Sequence, residues 1–168
     1  PCNHSLIVTV RSYTHRLEGK KEKGLKLGIY PEPRQSPLAD HKTLNYLYYL
    51  MAGKWAKENG YDEAIILNPD NNLSETNTGN ILLLRNKKVL RPISQHVLKG
   101  VMEKNVCEFM GNNGYIIEDK TLTINDLSQS DRLIITNSLI GAVPVLSIDN
   151  LRVENSLELC KQINSSLL

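Results

Sequence analysis

The spacing of apolar residues changes period several times along the chain, and each change marks a predicted element. Ser5 to Val10 is a β-branched apolar run that predicts a strand, and Leu25 to Tyr30 predicts another beyond a charged helix or loop at Thr14 to Gly24. Pro31, Pro33 and Pro37 then forbid regular structure. From Asp40 onward Leu44, Leu47, Tyr48, Met51, Trp55 and Ala56 recur at helical spacing until Asn59-Gly60 stops the helix, which places Lys42 at or just before the first turn. Glu63 to Asn68 reads as a short buried strand and Pro69 to Asn72 as a turn. Ile81 to Arg85 and Lys88 to Arg91 form a predicted hairpin around Asn86-Lys87, with Glu75 lying between the flanking strands. A second helix is marked by Val97, Val101, Val106, Phe109 and Met110, and Tyr115 to Glu118 is a strand. Thr123 caps a short helix to Gln129, strands follow at Arg132 to Thr136 and Val143 to Ile148, and an amphipathic helix runs through Leu157, Leu159, Ile163 and Leu167. Strands mixed with helices, some joined by hairpins, predict an α/β (α+β) domain with a mixed or antiparallel sheet and flanking helices.

Composition narrows this picture little. With 168 residues, 40% hydrophobic and 23% charged, the chain suits one domain with a real core. Its 20 basic and 18 acidic residues are dispersed, apart from short basic clusters at Lys20, Lys21 and Lys23 and at Lys87 and Lys88, which argues against nucleic-acid binding. Cys2, Cys107 and Cys160 are odd in number and follow no metal-ligand spacing, so they are expected to be free thiols. The apolar stretches are too short for a membrane span and no secretion leader is recognisable, so a cytoplasmic location is expected, and the Asn-x-Ser triplets at Asn3, Asn72 and Asn164 carry no weight.

The candidate chemistry lies in three segments: Asp40-His41-Lys42-Thr43-Leu44-Asn45-Tyr46-Leu47, then Ser74-Glu75-Thr76-Asn77-Thr78-Gly79-Asn80, then Thr136-Asn137-Ser138-Leu139-Ile140-Gly141-Ala142-Val143-Pro144-Val145. A pyridoxal-phosphate enzyme needs a lysine to hold the aldehyde as a Schiff base, an acid facing the pyridine nitrogen and neutral donors around the phosphate. Lys42 and Glu75 are candidates for the first two. Gly100, Val101 and Met102 at a helix start, with the hydroxyl of Ser138, are candidates for the third, because both kinds of group point positive dipoles at an anion. Tyr46 is a candidate contact to the ring hydroxyl. His41 is read as a neighbour of Lys42 and not as a base, since adjacent residues point apart. The cluster of Tyr48, Tyr49, Met51 and Trp55 reads as core or dimer contact and not as a substrate box.

These segments resemble the class IV, or fold-type IV, pyridoxal-phosphate aminotransferases, over about Ser5 to Leu151. The family includes branched-chain and D-amino-acid aminotransferases and aminodeoxychorismate lyases. Lys42 with Asn45 and Tyr46 is similar to the family's Lys-x-x-Asn-Tyr, and Ser74, Glu75 and Asn80 to its Ser-Glu-x-x-x-x-Asn. The resemblance implies that Lys42 links covalently to the cofactor and that Glu75 binds its ring nitrogen. Within the family, Asn137-Ser138-Leu139-x-Gly141-x-x-Pro144-Val145 resembles the aminodeoxychorismate lyases, and Met102 agrees, where aminotransferases more often carry Gly-Thr or Thr-Thr and Gly-Ile-Thr at these places. Two departures stand against the pattern: Glu103 replaces an arginine common in relatives, and the family's smaller N-terminal domain, which supplies a phosphate-binding arginine and part of the substrate pocket, lies outside this chain. The resemblance therefore implies the larger pyridoxal-phosphate-binding domain of a homodimeric small-molecule enzyme: a lyase making 4-aminobenzoate and pyruvate for folate biosynthesis, or alternatively a class IV branched-chain or D-amino-acid aminotransferase. A third alternative is a non-catalytic fragment or interaction domain.

Overall fold

A computed structural model describes residues 6–168. Among these residues, after a 3-10 turn at Glu18–Lys20, nine strands and four α-helices follow one another as β1 (Leu25–Ile29), α1 (Leu47–Glu58), β2 (Glu63–Leu67), β3 (Leu73–Thr76), β4 (Asn80–Arg85), β5 (Lys88–Pro92), α2 (Val101–Asn112), β6 (Ile116–Lys120), α3 (Ile124–Ser128), β7 (Arg132–Asn137), β8 (Gly141–Ile148), β9 (Leu151–Arg152) and α4 (Leu157–Leu167). The strands form one mixed sheet in the order β3-β2-β1-β8-β7-β4-β5-β6, with β9 paired to β8. β1 runs parallel to β2 and β8, and β5 runs parallel to β6, while the remaining pairs are antiparallel.

Chain connection curls this sheet. β3 and β4 are separated in the sheet by four strands, β2, β1, β8 and β7, yet only Asn77, Thr78 and Gly79 join them in sequence. The margin strand β3 is therefore brought back toward β4, two strands in from the opposite margin β6, and the inward faces enclose a core of Leu25, Leu27, Ile65, Leu67, Leu73, Ile81, Leu83, Leu133, Ile135, Val143 and Val145. The other face of β4 and β7 packs Leu82, Leu84 and Ile134 beneath α2 and α4, against Met102, Val106, Met110, Cys160 and Ile163. That is why Ile81-Leu82-Leu83-Leu84 is apolar without alternation: both faces are covered. Each such side chain, fully withdrawn from water, contributes about 1.5–3 kcal/mol. α1 lies on β2 through Ala52, Ala56 and Ala64, with Tyr30, Tyr48, Trp55 and Tyr61 around them.

The expected strand at Ser5 to Val10 does not form: Leu6–Val10 are irregular and exposed, with Val10 at 93%, because no neighbouring strand offers them a ladder; Ser5 lies outside the described residues. The expected helix from Asp40 begins only at Leu47. Residues 40–46 make turns and bends, with the side chain of Asp40 turned to His41 and that of Thr43 to the N–H of Asn45, so local side-chain bonding replaces the first turns. Likewise α2 begins at Val101 and not at Val97. Glu75 stands within β3, a strand absent from the sequence-based reading because Leu73-Ser74-Glu75-Thr76 is mostly polar; all four residues are nonetheless buried. The Asn86 turn, the Thr123 cap and the Gly60 stop are as expected, with φ of +54° at Asn86 and +81° at Gly60. Cys107 and Cys160 are buried free thiols. Among the described residues no helix is long and apolar enough to cross a membrane.

Candidate active site

A cavity of about 1120 Å³ opens where β3 returns toward β4, and Lys42, Tyr46, Glu75, Gly100, Val101, Met102 and Ser138 all line it. Four pieces of chain build most of its walls, and Arg16, Leu17, Lys20, Arg34, Tyr61 and Asp62 complete them. One is the irregular segment Ala39–Asn45 with the cavity-facing side of α1, where Tyr46, Tyr49, Leu50, Gly53, Lys54 and Lys57 recur at helical spacing. The second is the turn between β3 and β4. The third is the start of α2, and the fourth is the turn from β7 to β8 through Asn137, Ser138 and Leu139.

Glu75 is the chemical centre of the cavity. It is only 5% exposed, and both carboxylate oxygens have partners: Oε1 accepts from the Tyr49 hydroxyl at 2.5 Å, and Oε2 accepts from the Leu98 backbone N–H at 3.2 Å. Burial pushes its carboxyl up to about 7, opposed by those two hydrogen bonds and by the positive charges of Arg34 and Lys42. The Lys42 charge thus reaches Glu75 across the cavity, while the Lys42 ammonium stands 5.2 Å from the centre of the Tyr46 ring. Arg34 is a second cation at this centre. Its Nη1 lies 3.9 Å from Glu75 Oε1, it has no hydrogen-bond partner, and its guanidinium stacks 4.7 Å from the Tyr49 ring centre.

The start of α2 is held in a defined backbone geometry by the side chains around it. Gly100 is extended, with φ −80° and ψ 141°, and turns the chain into the helix; the Glu103 carboxylate accepts the Gly100 N–H at 3.3 Å. The N–H groups of the first helical turn have no intrahelical acceptors and carry the positive end of the helix dipole. Glycine is required because a Cβ at residue 100 would come within 2.1 Å of Asn80 Oδ1, and Asn80 is itself pinned by Nδ2 to the Leu98 carbonyl at 2.7 Å. Glu103, unusual against the family pattern, is thereby given a capping role, and burial holds its carboxyl above the ordinary range. Across the cavity, Ser138 is exposed at the β7–β8 turn, beside Thr136, whose buried hydroxyl is unpartnered.

Three contributors escaped the sequence reading. Arg34 sits among the prolines, where no periodicity flags it. Tyr49 was grouped with packing residues, yet it hydrogen-bonds Glu75 and lines the cavity, whereas Tyr48 and Trp55 do pack against Tyr30. Asn80 was read as part of a motif, but its action, closing onto Gly100 and Leu98, needs the fold. His41, read as a neighbour of Lys42, bonds to the Asp40 side chain and also lines the cavity.

An amine, a buried carboxylate, a helix start and a hydroxyl around one cavity define a site fit for a pyridoxal-type cofactor, and residues 1–148 match the Amino-transferase class IV family. The chain belongs to that family. It is 30% identical over 149 residues to an aminodeoxychorismate lyase of Vibrio harveyi, covering 84% of this chain and 54% of that protein. It is also 30% identical over 111 residues to a D-alanine aminotransferase of Bacillus licheniformis, covering 66% and 39%. Among solved structures it superposes on a fold IV transaminase of Curtobacterium pusillum with a TM-score of 0.85 at 21% identity, covering 93% of this chain and 55% of that one. An aminotransferase of Brucella abortus, bound to the cofactor PLP, gives 0.78 at 20% identity, covering 86% and 54%. The chain spans about half the length of the curated relatives it matches. The expected mixed sheet with flanking helices is the fold these structures share.

Proposed function

We propose that this chain is the cofactor-binding part of a pyridoxal-phosphate-dependent aminodeoxychorismate lyase, which converts 4-amino-4-deoxychorismate to 4-aminobenzoate and pyruvate. The observation that carries the reading is the convergence of Lys42, Glu75, the α2 start and Ser138 on one cavity in a class IV chain. When bound, the cofactor supplies an electron sink next to the carbon that loses its proton. Lys42 would hold its aldehyde carbon covalently and, once displaced by the substrate amine, act as the general base at the carbon bearing that amine. A neutral amine is needed for that second role. Glu75 would face the ring nitrogen, where a carboxylate poised near 7 accepts a hydrogen bond from the protonated ring and becomes fully ionised. The N–H groups of Val101 and Met102, with the Ser138 hydroxyl, would hold the phosphate, and Tyr46 the ring hydroxyl.

The lyase assignment is supported by the Asn137-Ser138 sequence and by the lyase relative that covers most of this chain. The D-alanine aminotransferase relative supports the alternative, an amino-acid aminotransferase using the same groups. Homodimerisation is part of the proposal, supported by the exposed apolar side chains of Leu44, Leu47, Leu50 and Met51 beside the cavity.

The deciding experiment supplies the full-length protein and pyridoxal phosphate with aminodeoxychorismate and follows 4-aminobenzoate. Its appearance supports the lyase. Amino-group transfer to pyruvate or 2-oxoglutarate without 4-aminobenzoate replaces it with the aminotransferase. If borohydride leaves no phosphopyridoxyl group on Lys42, the site is not catalytic and the chain is an interaction domain.

A further inference from the structure

Behind the cavity wall lies a second buried carboxylate that does not face the cavity. Glu63, at the start of β2, is fully buried, and its Oε1 is paired with the Arg16 guanidinium. Arg16 is half exposed, comes from the irregular chain before β1 and also donates to the Asp62 carbonyl at 2.7 Å. The other oxygen of Glu63 accepts the backbone N–H of Thr78 at 3.1 Å, in the turn between β3 and β4. That turn is gripped a second time through Asn77, whose N–H donates to the Ala64 carbonyl at 3.0 Å and whose Oδ1 accepts the Ala64 N–H at 2.7 Å. Held from behind, Thr78 presents its carbonyl forward, where it accepts from Asn137 Nδ2; Asn137 Oδ1 in turn accepts the Leu139 N–H at 2.8 Å. The side chain of Asn137 thus spans the β7–β8 turn on which Ser138 stands.

We propose that Glu63, paired with Arg16, is a positioning residue for the Ser138 wall of the cavity, acting through Thr78 and Asn137. A buried carboxylate that served stability alone would be replaceable by an apolar side chain of similar size. Here one oxygen is committed to a backbone N–H of the turn, a charge-assisted bond of the stronger kind. Its loss frees Thr78 and then Asn137, and the Ser138 hydroxyl loses its fixed direction. Glu75 is insulated from this chain of contacts, because its carboxylate is fixed separately by Tyr49 and Leu98.

This inference rests on the proposed reading of Ser138 as a phosphate contact, and it makes a distinction that a merely structural role does not. In the full-length protein, Glu63→Leu and Asn137→Ala are expected to weaken pyridoxal phosphate by about tenfold or more. Binding of pyridoxal, which lacks the phosphate, should change by less than about twofold by the same arithmetic. Glu63→Gln, which keeps an acceptor for the Thr78 N–H, should fall between the variants and the parent. Equal losses for both ligands, or no loss for either, would overturn the positioning role. If Glu63→Leu does not fold, Asn137→Ala decides alone, since Asn137 is half-buried and outside the sheet core. A parent protein that binds neither ligand at Lys42 would instead overturn the reading of the cavity itself, and the positioning role with it.

Discussion

The two ends of the cavity are built in opposite ways. At the α2 end the backbone is committed before any ligand arrives: Gly100 is wedged against Asn80, Glu103 caps the turn, and Met102 packs into the core. At the α1 end, residues 40–46 have no regular structure, the helix start has no side-chain cap, and Lys42 is exposed. The comparison teaches that the wall proposed to hold the phosphate is preorganised, whereas the wall carrying Lys42 keeps its freedom. A lysine that must alternate between covalent anchor and free base has use for such freedom, and a phosphate that never leaves has none.

The sharpest break of this contrast is Lys42→Ala. It should lower turnover of the full-length protein by more than about a thousandfold and abolish the borohydride-trapped adduct while leaving phosphate-dependent binding of the cofactor measurable. Glu75→Gln comes next, with turnover falling on the order of a hundredfold, because a neutral amide does not favour the protonated ring nitrogen. Steady-state rates with saturating cofactor test it, and Tyr49→Phe should show a smaller loss in the same assay. Gly100→Ala probes the rigid end, where the new methyl group meets the Asn80 side chain, itself held by its hydrogen bond to the Leu98 carbonyl. Cofactor affinity should drop and stability should fall by about 1–3 kcal/mol, read from denaturant unfolding. An alanine at Thr43, in the loose segment, should cost far less.

The smallest effect is in pH. Glu75 titrates at about 7 in the folded chain against an ordinary 4.5, so between those values the folded state binds more protons than the unfolded one. Its contribution to stability therefore declines as pH rises from about 5 to about 7. Glu63 and Glu103, both raised by burial, act in the same sense. Thermal melts of the cofactor-free protein should show a lower Tm at the upper pH, and Glu75→Gln should flatten part of that slope. An unchanged slope would mean that Glu75 is already ionised in the empty cavity.

Much of this was legible in residue patterns where one local cause dominates. Asn86 and Gly60 announce their turns through backbone permissiveness, Thr123 announces a cap, and the apolar runs of β2, β4 and β7 announce strands covered on both faces. The misses share a different cause. Leu6–Val10 has the composition of a strand but no partner strand among the described residues, and a ladder needs two. Leu73–Thr76 has the composition of a loop but is buried because the curled sheet brings it against β4 and β5. The candidate residues of the cavity could be picked out because their motifs are contiguous in sequence, whereas Arg34 and the Glu63 relay join segments far apart in the chain and have no sequence signature.

Glu75, one residue before the end of β3, and Asn80, at the start of β4, are five positions apart but stand on strands that four others separate in the wrapped sheet, with the three-residue link Asn77-Thr78-Gly79 as the stitch between them. The gap at this seam is set by the accumulated twist of the four strands that lie between, not by a local loop that could be retuned by itself. A core substitution in β1 or β8, away from the cavity lining, acts on the spacing between the Glu75 carboxylate and the start of α2 as surely as a change at the stitch.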